Sequence, residues 1–353
     1  MKIKNKMTTW KEHIRKRPGM YIGDLRLTGF KVMLGYFFEE LVADSLQDPI
    51  FEIKFHKNSK IEINIKNVDT QKTISRINEL HTNSQTIGSF GFAVLISLTE
   101  KIEIIVNDFP NKLSLNGKKG DYVISQILTK DKNNTISIDF ILDKDIFKDL
   151  EIIYEYLNSF LKQFSYLNPN LKIVSIDKSK SEEQKNIFHH KRGILNQLDY
   201  LISQQPYAQP SKNIEIDTII DDYVIKIGLN YSSIWLEKSI IKTFANNVET
   251  FLGGSLNDGI ISGVIIAIKK LAEKENIKIS ISKNNVVDQL VLVAAVRGNN
   301  LEFSGSTKSK LGMPSLQKKI KNLVFGVLTK YFFDEPQEAQ KIIAKFEIYE
   351  DSN

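Results

Sequence analysis

The chain has 353 residues, of which 42% are hydrophobic and 25% charged, and its formal net charge is +6. This balance is typical of a globular protein and excludes a largely disordered one. The absence of cysteine excludes disulfides and thiolate metal sites, and five scattered histidines do not favour a histidine-rich metal site. The apolar runs are too short to span a membrane and the start lacks a secretory signal, so we expect a cytoplasmic protein without a membrane partner.

The first half of the chain alternates helical and strand patterns. Apolar positions at helical spacing predict a helix over residues 28–48, ended by the dipeptide Asp48-Pro49. Alternating segments then predict two paired strands, which a short helix and a buried helix follow. The remaining patterns predict four strands, a helix, a strand and a charged surface loop. In chain order these elements fall at 50–56, 61–67, 73–80, 91–100, 101–142, 144–165, 171–177 and 179–185.

A polar segment with two prolines, residues 202–213, is typical of a linker. Beyond it the pattern predicts strands, a helix, two strands and terminal helices, at 214–232, 257–274, 276–282, 289–297 and onward to the end. We therefore predict two α+β domains. The first covers residues 1–206, including an N-terminal arm at 1–20, and the second covers residues 207–353.

A basic segment, HIRKRPGMYIGD at residues 13–24, is on charge alone typical of a solvated arm. Five ordered and spaced segments nevertheless share one resemblance, and they read IRKRPGMYIGD with a following TGF, FLKQFSYLNPNLKI, FHHKRGILNQLDYL, FANNVETFLGGSLNDGI and FSGSTKSKLG. Together they resemble motifs of the N-terminal ATPase-plus-transducer half of the bacterial gyrase B and topoisomerase IV B subunits. These subunits are GHKL (Bergerat-fold) ATPases.

The resemblance implies a Bergerat-fold α/β sandwich followed by a transducer domain of ribosomal-S5-like βαβ type. It also implies ATP and Mg²⁺ as cofactors, and a homodimer or a gyrase or topoisomerase subunit as partner. The net charge permits a DNA contact without demanding one. Residues 13–24 would be a junction beside the nucleotide site. No toprim-like acidic cluster follows the transducer segment, so we expect this chain not to cut DNA by itself.

The positions that the family uses for hydrolysis carry other residue types here. In the register set by TGF, Tyr36 stands at the general-base position, Glu40 at the metal-binding asparagine and Asn67 at the adenine-binding aspartate. A phenol with a pKa near ~10 is a poor base at neutral pH. Glu40 could still bind a metal, and the Asn67 carbonyl could accept from an amino group. Hydrolysis by the family mechanism is therefore not expected.

Three further observations concern the same helix. Asp44 stands where the family has an acid that pairs with the arginine of an Asp-x-Gly-Arg-Gly turn, and Thr70 replaces that arginine. A register shifted by one helical turn would make Glu40 the base and Asp44 the metal ligand, although the unchanged spacing to Asn67 argues against it. The plainest interpretation of Glu39, Glu40 and Asp44 is a solvated helix face.

Two glycine-containing loops complete the candidate nucleotide site. GSFGFAV keeps Gly88 and Gly91 of the family's phosphate loop, which either offers N–H groups to an anion or only closes a tight turn. The preceding lid is short, with HTNSQTI alone before Gly88. In the second domain, Thr307 and Lys308 match the family's Gln-Thr-Lys loop. Lys308 is then either a phosphate-contacting lysine or an ordinary surface lysine.

These patterns favour a degenerate, non-hydrolysing ATPase-like module that dimerises or binds and regulates a type II topoisomerase-like partner. Two alternatives stay open at this point. One is a working ATPase subunit of a type IIA topoisomerase-like enzyme with the remodelled ligands Glu40 and Asp44, and the other is a DNA-associated structural protein.

Overall fold

A computed structural model of the chain describes residues 9–82, 89–148, 150–205, 212–231, 239–288, 290–305 and 308–348. Its contacts divide the chain into two compact units, residues 1–191 and 192–353. None of the helices in the described ranges is long and apolar enough to cross a membrane.

The first unit is built on one mixed sheet. Its helices are α1 Trp10–Lys16, α2 Gly19–Ile22, α3 Leu27–Ala43, α4 Thr70–Thr82, α5 Phe90–Leu98, α6 Lys144–Phe147 and α7 Tyr154–Leu167. Its strands are β1 Ser45–Phe55, β2 Lys60–Val68, β3 Thr99–Asp108, β4 Asn111–Lys118, β5 Asp121–Leu128, β6 Thr135–Leu142, β7 Lys172–Asp177 and β8 Gln184–Phe188. The strand order is β5-β4-β3-β6-β2-β1-β7-β8, and β1 and β7 run parallel.

The strict alternation of apolar and polar residues buries one face of this sheet. Ile61, Ile63 and Ile65 of β2 are fully buried, whereas their neighbours in the strand are partly exposed. Helices α3 and α5 pack closely together in the same core, through Phe37 of α3 and Phe92 of α5 at a ring-centroid distance of 4.9 Å. This packing fixes the position of α5 relative to α3.

The second unit contains a five-stranded sheet and its helices. The helices are α8 Ile194–Ser203, α9 Ser255–Glu275, α10 Lys283–Val287, α11 Pro314–Asp334 and α12 Pro336–Ile343. The strands are β9 Ile214–Ile220, β10 Tyr223–Tyr231, β11 Ile240–Ala245, β12 Val248–Glu249 and β13 Leu290–Arg297, in the order β12-β11-β13-β10-β9. Helices α9 and α11 pack along each other, and the core beneath them includes Ile227 and Leu229 of β10.

Helix α8 belongs with the second sheet and not with the first. A Cβ added to Gly228 of β10 would lie 3.0 Å from Leu195 and from Leu198, because α8 crosses the strand closely at this glycine. The sequence pattern predicts a domain boundary after residue 206, whereas the contacts divide the chain after Lys191. The composition of 202–213 marks a polar stretch, and residues 206–211 of it lie outside the described residues.

Most predicted elements form, and four predictions were wrong in detail. The first helix ends at Ala43, and a strand follows at once and runs through Asp48-Pro49, with a shift in pairing register before Ile50. The helix predicted over 144–165 is two helices, and the loop at 179–185 overlaps strand β8. The strand predicted at 276–282 contributes only an isolated bridge, between Ile279 and Glu347. The errors at β1 and β8 lie where pairing with a neighbouring strand, rather than local pattern, decides the conformation.

The α9–α11 contact depends on glycine and yields a stability prediction. A Cβ on Gly263 of α9 would lie 2.7 Å from the Lys321 carbonyl oxygen, whereas a Cβ on Gly326 of α11 meets no atom within 4 Å. We expect Gly263→Ala to lower the free energy of unfolding by about 1–3 kcal/mol through overpacking. Gly326→Ala, the matched control, should raise it by about 0.5–1 kcal/mol through helix propensity. Urea titration measures both, and equal effects of the two variants would contradict this packing.

Candidate functional site

The N-terminus of α5 is capped by a carboxylate from another helix. The Glu40 side chain on α3 accepts hydrogen bonds from the Ser89 hydroxyl at 2.5 Å, the Gly91 N–H at 2.9 Å and the Phe92 N–H at 3.3 Å. Ser89 is the N-cap residue of α5, but its hydroxyl accepts no capping hydrogen bond from a backbone N–H of the helix. Since a helix N-terminus attracts negative charge, Glu40 occupies the electrostatic position that a bound anion would take.

Aromatic side chains surround the same helix end. Phe90 of α5 lies edge-on to Tyr36 of α3 with ring centroids 5.0 Å apart, and Tyr21 of the basic segment lies 6.1 Å from Phe90. The Tyr21 hydroxyl is within 2.5 Å of His13 Nδ1. The three aromatic rings therefore line up across α2, α5 and α3, beside the Glu40 carboxylate.

Tyr36, at the predicted general-base position, is less suited to proton abstraction than a free tyrosine. Burial, and secondly the negative charge of Glu39, raise the pKa of the Tyr36 phenol above its ordinary value. A phenol with a raised pKa is protonated throughout the neutral range, so it cannot accept a proton from water there.

Gly91 is required for packing. A Cβ at this position would lie 2.6 Å from the Tyr36 carbonyl oxygen and 2.8 Å from the Phe37 Cα, because α5 approaches the backbone of α3 here. This close contact is what brings the Gly91 N–H within reach of Glu40. Gly88 and the predicted lid lie outside the described residues, apart from the end of α4.

Asp44 has an ion-pair partner that the sequence analysis did not identify. Its carboxylate accepts two hydrogen bonds from Arg76 of α4, at 2.7 Å from Nε and 2.8 Å from Nη2, and the Asp44 side chain is 1% exposed. The hydrogen bond to Asp44 raises the pKa of Arg76 further. The interpretation that Asp44 has only Thr70 for a partner was therefore wrong. The interpretation that Asp44 lies on a solvated helix face was also wrong, because its side chain is buried.

Position 70, at the start of α4, is a threonine and has no guanidinium. Arg76, further along the same helix, supplies one. The Thr70 hydroxyl instead donates to Asp108 at 2.5 Å, and Gln71 donates to the same carboxylate. A sequence signal for the pair exists. Arg76 falls three residues after the buried Thr73 and four before the buried Leu80, so it is a charge beside the apolar stripe of an amphipathic helix.

Asn67, the candidate adenine-contacting residue, lies at the exposed end of β2. Its backbone has a φ of 58°, and its side-chain amide donates to the Asp48 carbonyl oxygen at 2.9 Å. The side chain thus holds the irregular start of β1 next to β2. Within the described residues, Asn67 and Glu40 share no hydrogen-bond partner, since those of Glu40 lie on α5 and its cap.

The basic segment serves as a structural junction. Arg15 donates to the Ser97 carbonyl oxygen at the end of α5 and to the buried Asp143 carboxylate, at 2.7 and 2.6 Å. Asp24 accepts from the Gly29 N–H at 2.9 Å, and a Cβ on Gly29 would lie 1.9 Å from the Asp24 carbonyl oxygen. The spacing between the segment and α3 therefore has a packing cause within this chain.

In the second unit, the predicted loop residues have mainly local contacts. Lys308 has a φ of 53° and places its ammonium 5.8 Å from the centre of the Phe303 ring, and Thr307 lies outside the described residues. Asn246 exchanges hydrogen bonds with Gly298, at 3.1 and 3.2 Å. A Cβ on Gly254 would lie 2.2 Å from the Leu311 carbonyl oxygen, so this glycine permits the strand-like contact between its loop and Leu311.

Removing Arg76 should be costly because it leaves Asp44 buried. We expect Arg76→Ala to lower the free energy of unfolding by about 3–5 kcal/mol, since a buried carboxylate loses its only bidentate partner among the described contacts. The double variant Asp44→Ala/Arg76→Ala should lose less than the sum of the single variants, with a coupling energy of about 0.5–3 kcal/mol. Denaturant unfolding of the four proteins measures this cycle, and strictly additive effects would contradict the ion pair.

Comparisons with known proteins cover both units. Residues 193–352 match the family model described as DNA gyrase B. The chain is similar to the DNA gyrase B protein of Archaeoglobus fulgidus, 25% identical over 95% of this chain, and to that of Borreliella burgdorferi, 26% identical over 95%. The chain spans 56% of the length of each of these relatives.

Solved structures share the fold. The 43K ATPase domain of Thermus thermophilus gyrase B, solved with an aminocoumarin, superposes with a TM-score of 0.76 at 18% identity, over 96% of this chain and 93% of that one. The B-subunit of the DNA gyrase from Myxococcus xanthus gives a TM-score of 0.79 at 17% identity, over 95% and 99%. The chain therefore has the GHKL α/β fold followed by a transducer region, and it resembles the N-terminal ATPase-plus-transducer part of the gyrase B and topoisomerase IV B subunits.

Proposed function

We propose that this chain is a gyrase B-like ATPase-and-transducer module that does not hydrolyse ATP. It acts in the cytoplasm as a dimerising or partner-binding regulator of a type II topoisomerase-like system. The single observation that carries the proposal is the Glu40 carboxylate on the N-terminus of α5. The retained fold and transducer supply the assembly surface, and the altered site removes the chemistry.

ATP with Mg²⁺, which the resemblance implies, does not fit the side chains now in this position. The Gly91 and Phe92 N–H groups that would cradle a phosphate already donate to Glu40. A phosphate brought to the same helix end would also face the Glu40 negative charge at close range, which is unfavourable in a partly buried setting. Nucleotide binding would therefore require Glu40 to leave α5.

The alternative of a remodelled ATPase uses Glu40 and Asp44 as ligands or base. Glu40 binds three donors of α5 and its cap, and Asp44 binds Arg76 through both of its oxygens. In the part of the chain that the structure describes, neither carboxylate is oriented by a partner that would make it a base for water. Within the described ranges, no three histidine, aspartate or glutamate side chains form a metal-ligand set.

Neutralising Glu40 should open the helix end to anions. We expect the wild-type chain to show no binding heat with a non-hydrolysable ATP analogue and Mg²⁺ at millimolar concentration. Glu40→Gln should bind measurably, with a Kd of about 0.1 mM or lower. Glu39→Gln, which changes the net charge equally one residue away, is the matched control and should resemble wild type. Isothermal titration calorimetry measures the three proteins. Tight binding by wild type would contradict the proposal.

Hydrolysis is tested separately by phosphate release. The wild-type chain and the Tyr36→Glu variant should both stay at background. The Tyr36 phenol is not a usable base at neutral pH. A carboxylate at residue 36 would leave the hydrogen bond from the Gly91 N–H to Glu40 in place. A wild-type turnover that Glu40→Ala abolishes would instead establish the remodelled-ATPase alternative. The same assay on Glu39→Gln checks that any loss is specific to Glu40.

A further inference from the structure

Strand β5 forms one edge of the eight-stranded sheet and is unusually apolar for an edge. Among the described residues β5 pairs with β4 alone. Residues 122–128 carry no charge, and Val123, Ile127 and Leu128 are 71%, 59% and 80% exposed. A long uncharged edge strand presents unpaired backbone groups and apolar side chains, which together favour pairing with another strand.

The other three sheet edges in the described part of the chain are protected. Strand β12 has two residues, and β8 has five residues with Lys185 among them. Strand β9 carries Glu215 and Asp217, which pair with Arg192 and Lys226. Short strands and charged side chains are the usual means of blocking edge pairing. Among the four edges in the described part of the chain, β5 is the one that has neither along residues 122–128.

We propose that β5 pairs in antiparallel fashion with β5 of a second copy of this chain, with Ser125 on the two-fold axis. Residues directly opposite each other in such a pair share a sheet face. This register sets Val123 opposite Ile127 of the second copy, and Tyr122 opposite its Leu128. Moving the axis by one residue either way sets Val123 against Ser125 or Thr129. It then leaves one apolar pair in place of two, either Ile124 with Ile124 or Ile124 with Leu128. The inference is independent of the nucleotide site.

The charges at the strand ends also fit a second copy in antiparallel orientation. Asp121 begins β5 with a side chain that is 95% exposed and that pairs with Lys11 at 3.2 Å, and Lys130 follows the strand at its other end. In the register about Ser125, Asp121 lies opposite Thr129 of the second copy and therefore beside that copy's Lys130. Each end of the paired strands then joins an acid to a base, and the apolar side chains lie between.

Two variants test whether β5 is the interface. We expect the full-length wild-type chain to dimerise in a concentration-dependent way without nucleotide, and Ile127→Lys to weaken this by at least about tenfold, because it sets a lysine against Val123 of the second copy. Ile219→Lys is the matched control, since Ile219 is 67% exposed on the edge strand β9. Sedimentation velocity measures all three. A monomeric wild type, or a dimer that Ile127→Lys leaves intact, overturns the proposal.

The absence of cysteine allows a direct test of the register. Opposed residues of antiparallel strands have Cα atoms about 4.5–5.5 Å apart, within the range of a disulfide. Ser125→Cys should therefore form an intermolecular disulfide under mild oxidation faster than the control Ile187→Cys. Ile187 lies on the edge strand β8, and its side chain is 56% exposed. Equal rates for the two variants overturn the register. Because neither test contains nucleotide, failure here leaves the proposal of a non-hydrolysing site standing, and a monomeric wild type would leave only its partner-binding form.

Discussion

The contact between Glu40 and the N-terminus of α5 ties helix α3 to helix α5 in the first unit. It needs the close packing of α3 on α5, which in turn needs a glycine at residue 91. The same backbone N–H groups that suit a phosphate suit a carboxylate, because both are anions at a positive helix end.

The Asp44–Arg76 pair joins the end of α3 to α4 in the first unit. Asp44, the buried acid at the C-cap of α3, has a bidentate guanidinium partner in Arg76 of α4. A buried carboxylate without a partner is strongly destabilising, so the position of the arginine can change more readily than its presence. Conformational stability and nucleotide chemistry thus place separate demands on the same helix.

The surface of the first unit carries the features expected of an assembling protein. Arg15 ties the basic segment to α5 and Asp143, while Lys16 and Arg17 next to it remain exposed. At the far edge of the sheet, β5 leaves apolar side chains in solvent where the other edges are short or charged. An uncharged apolar strand edge of this kind is a surface suited to pairing with another strand.

The sequence alone determined the α+β class, most strands and helices, and the resemblance on which the site positions rest, because period-two and helical spacings are local properties. It also identified Tyr36 as an unsuitable base. Only the tertiary structure decided the partners of Glu40 and Asp44, the end of α3 at Ala43, and the inclusion of α8 in the second unit. These features depend on residues distant in sequence, whose pairing is fixed by helix packing and strand register and has no local signature.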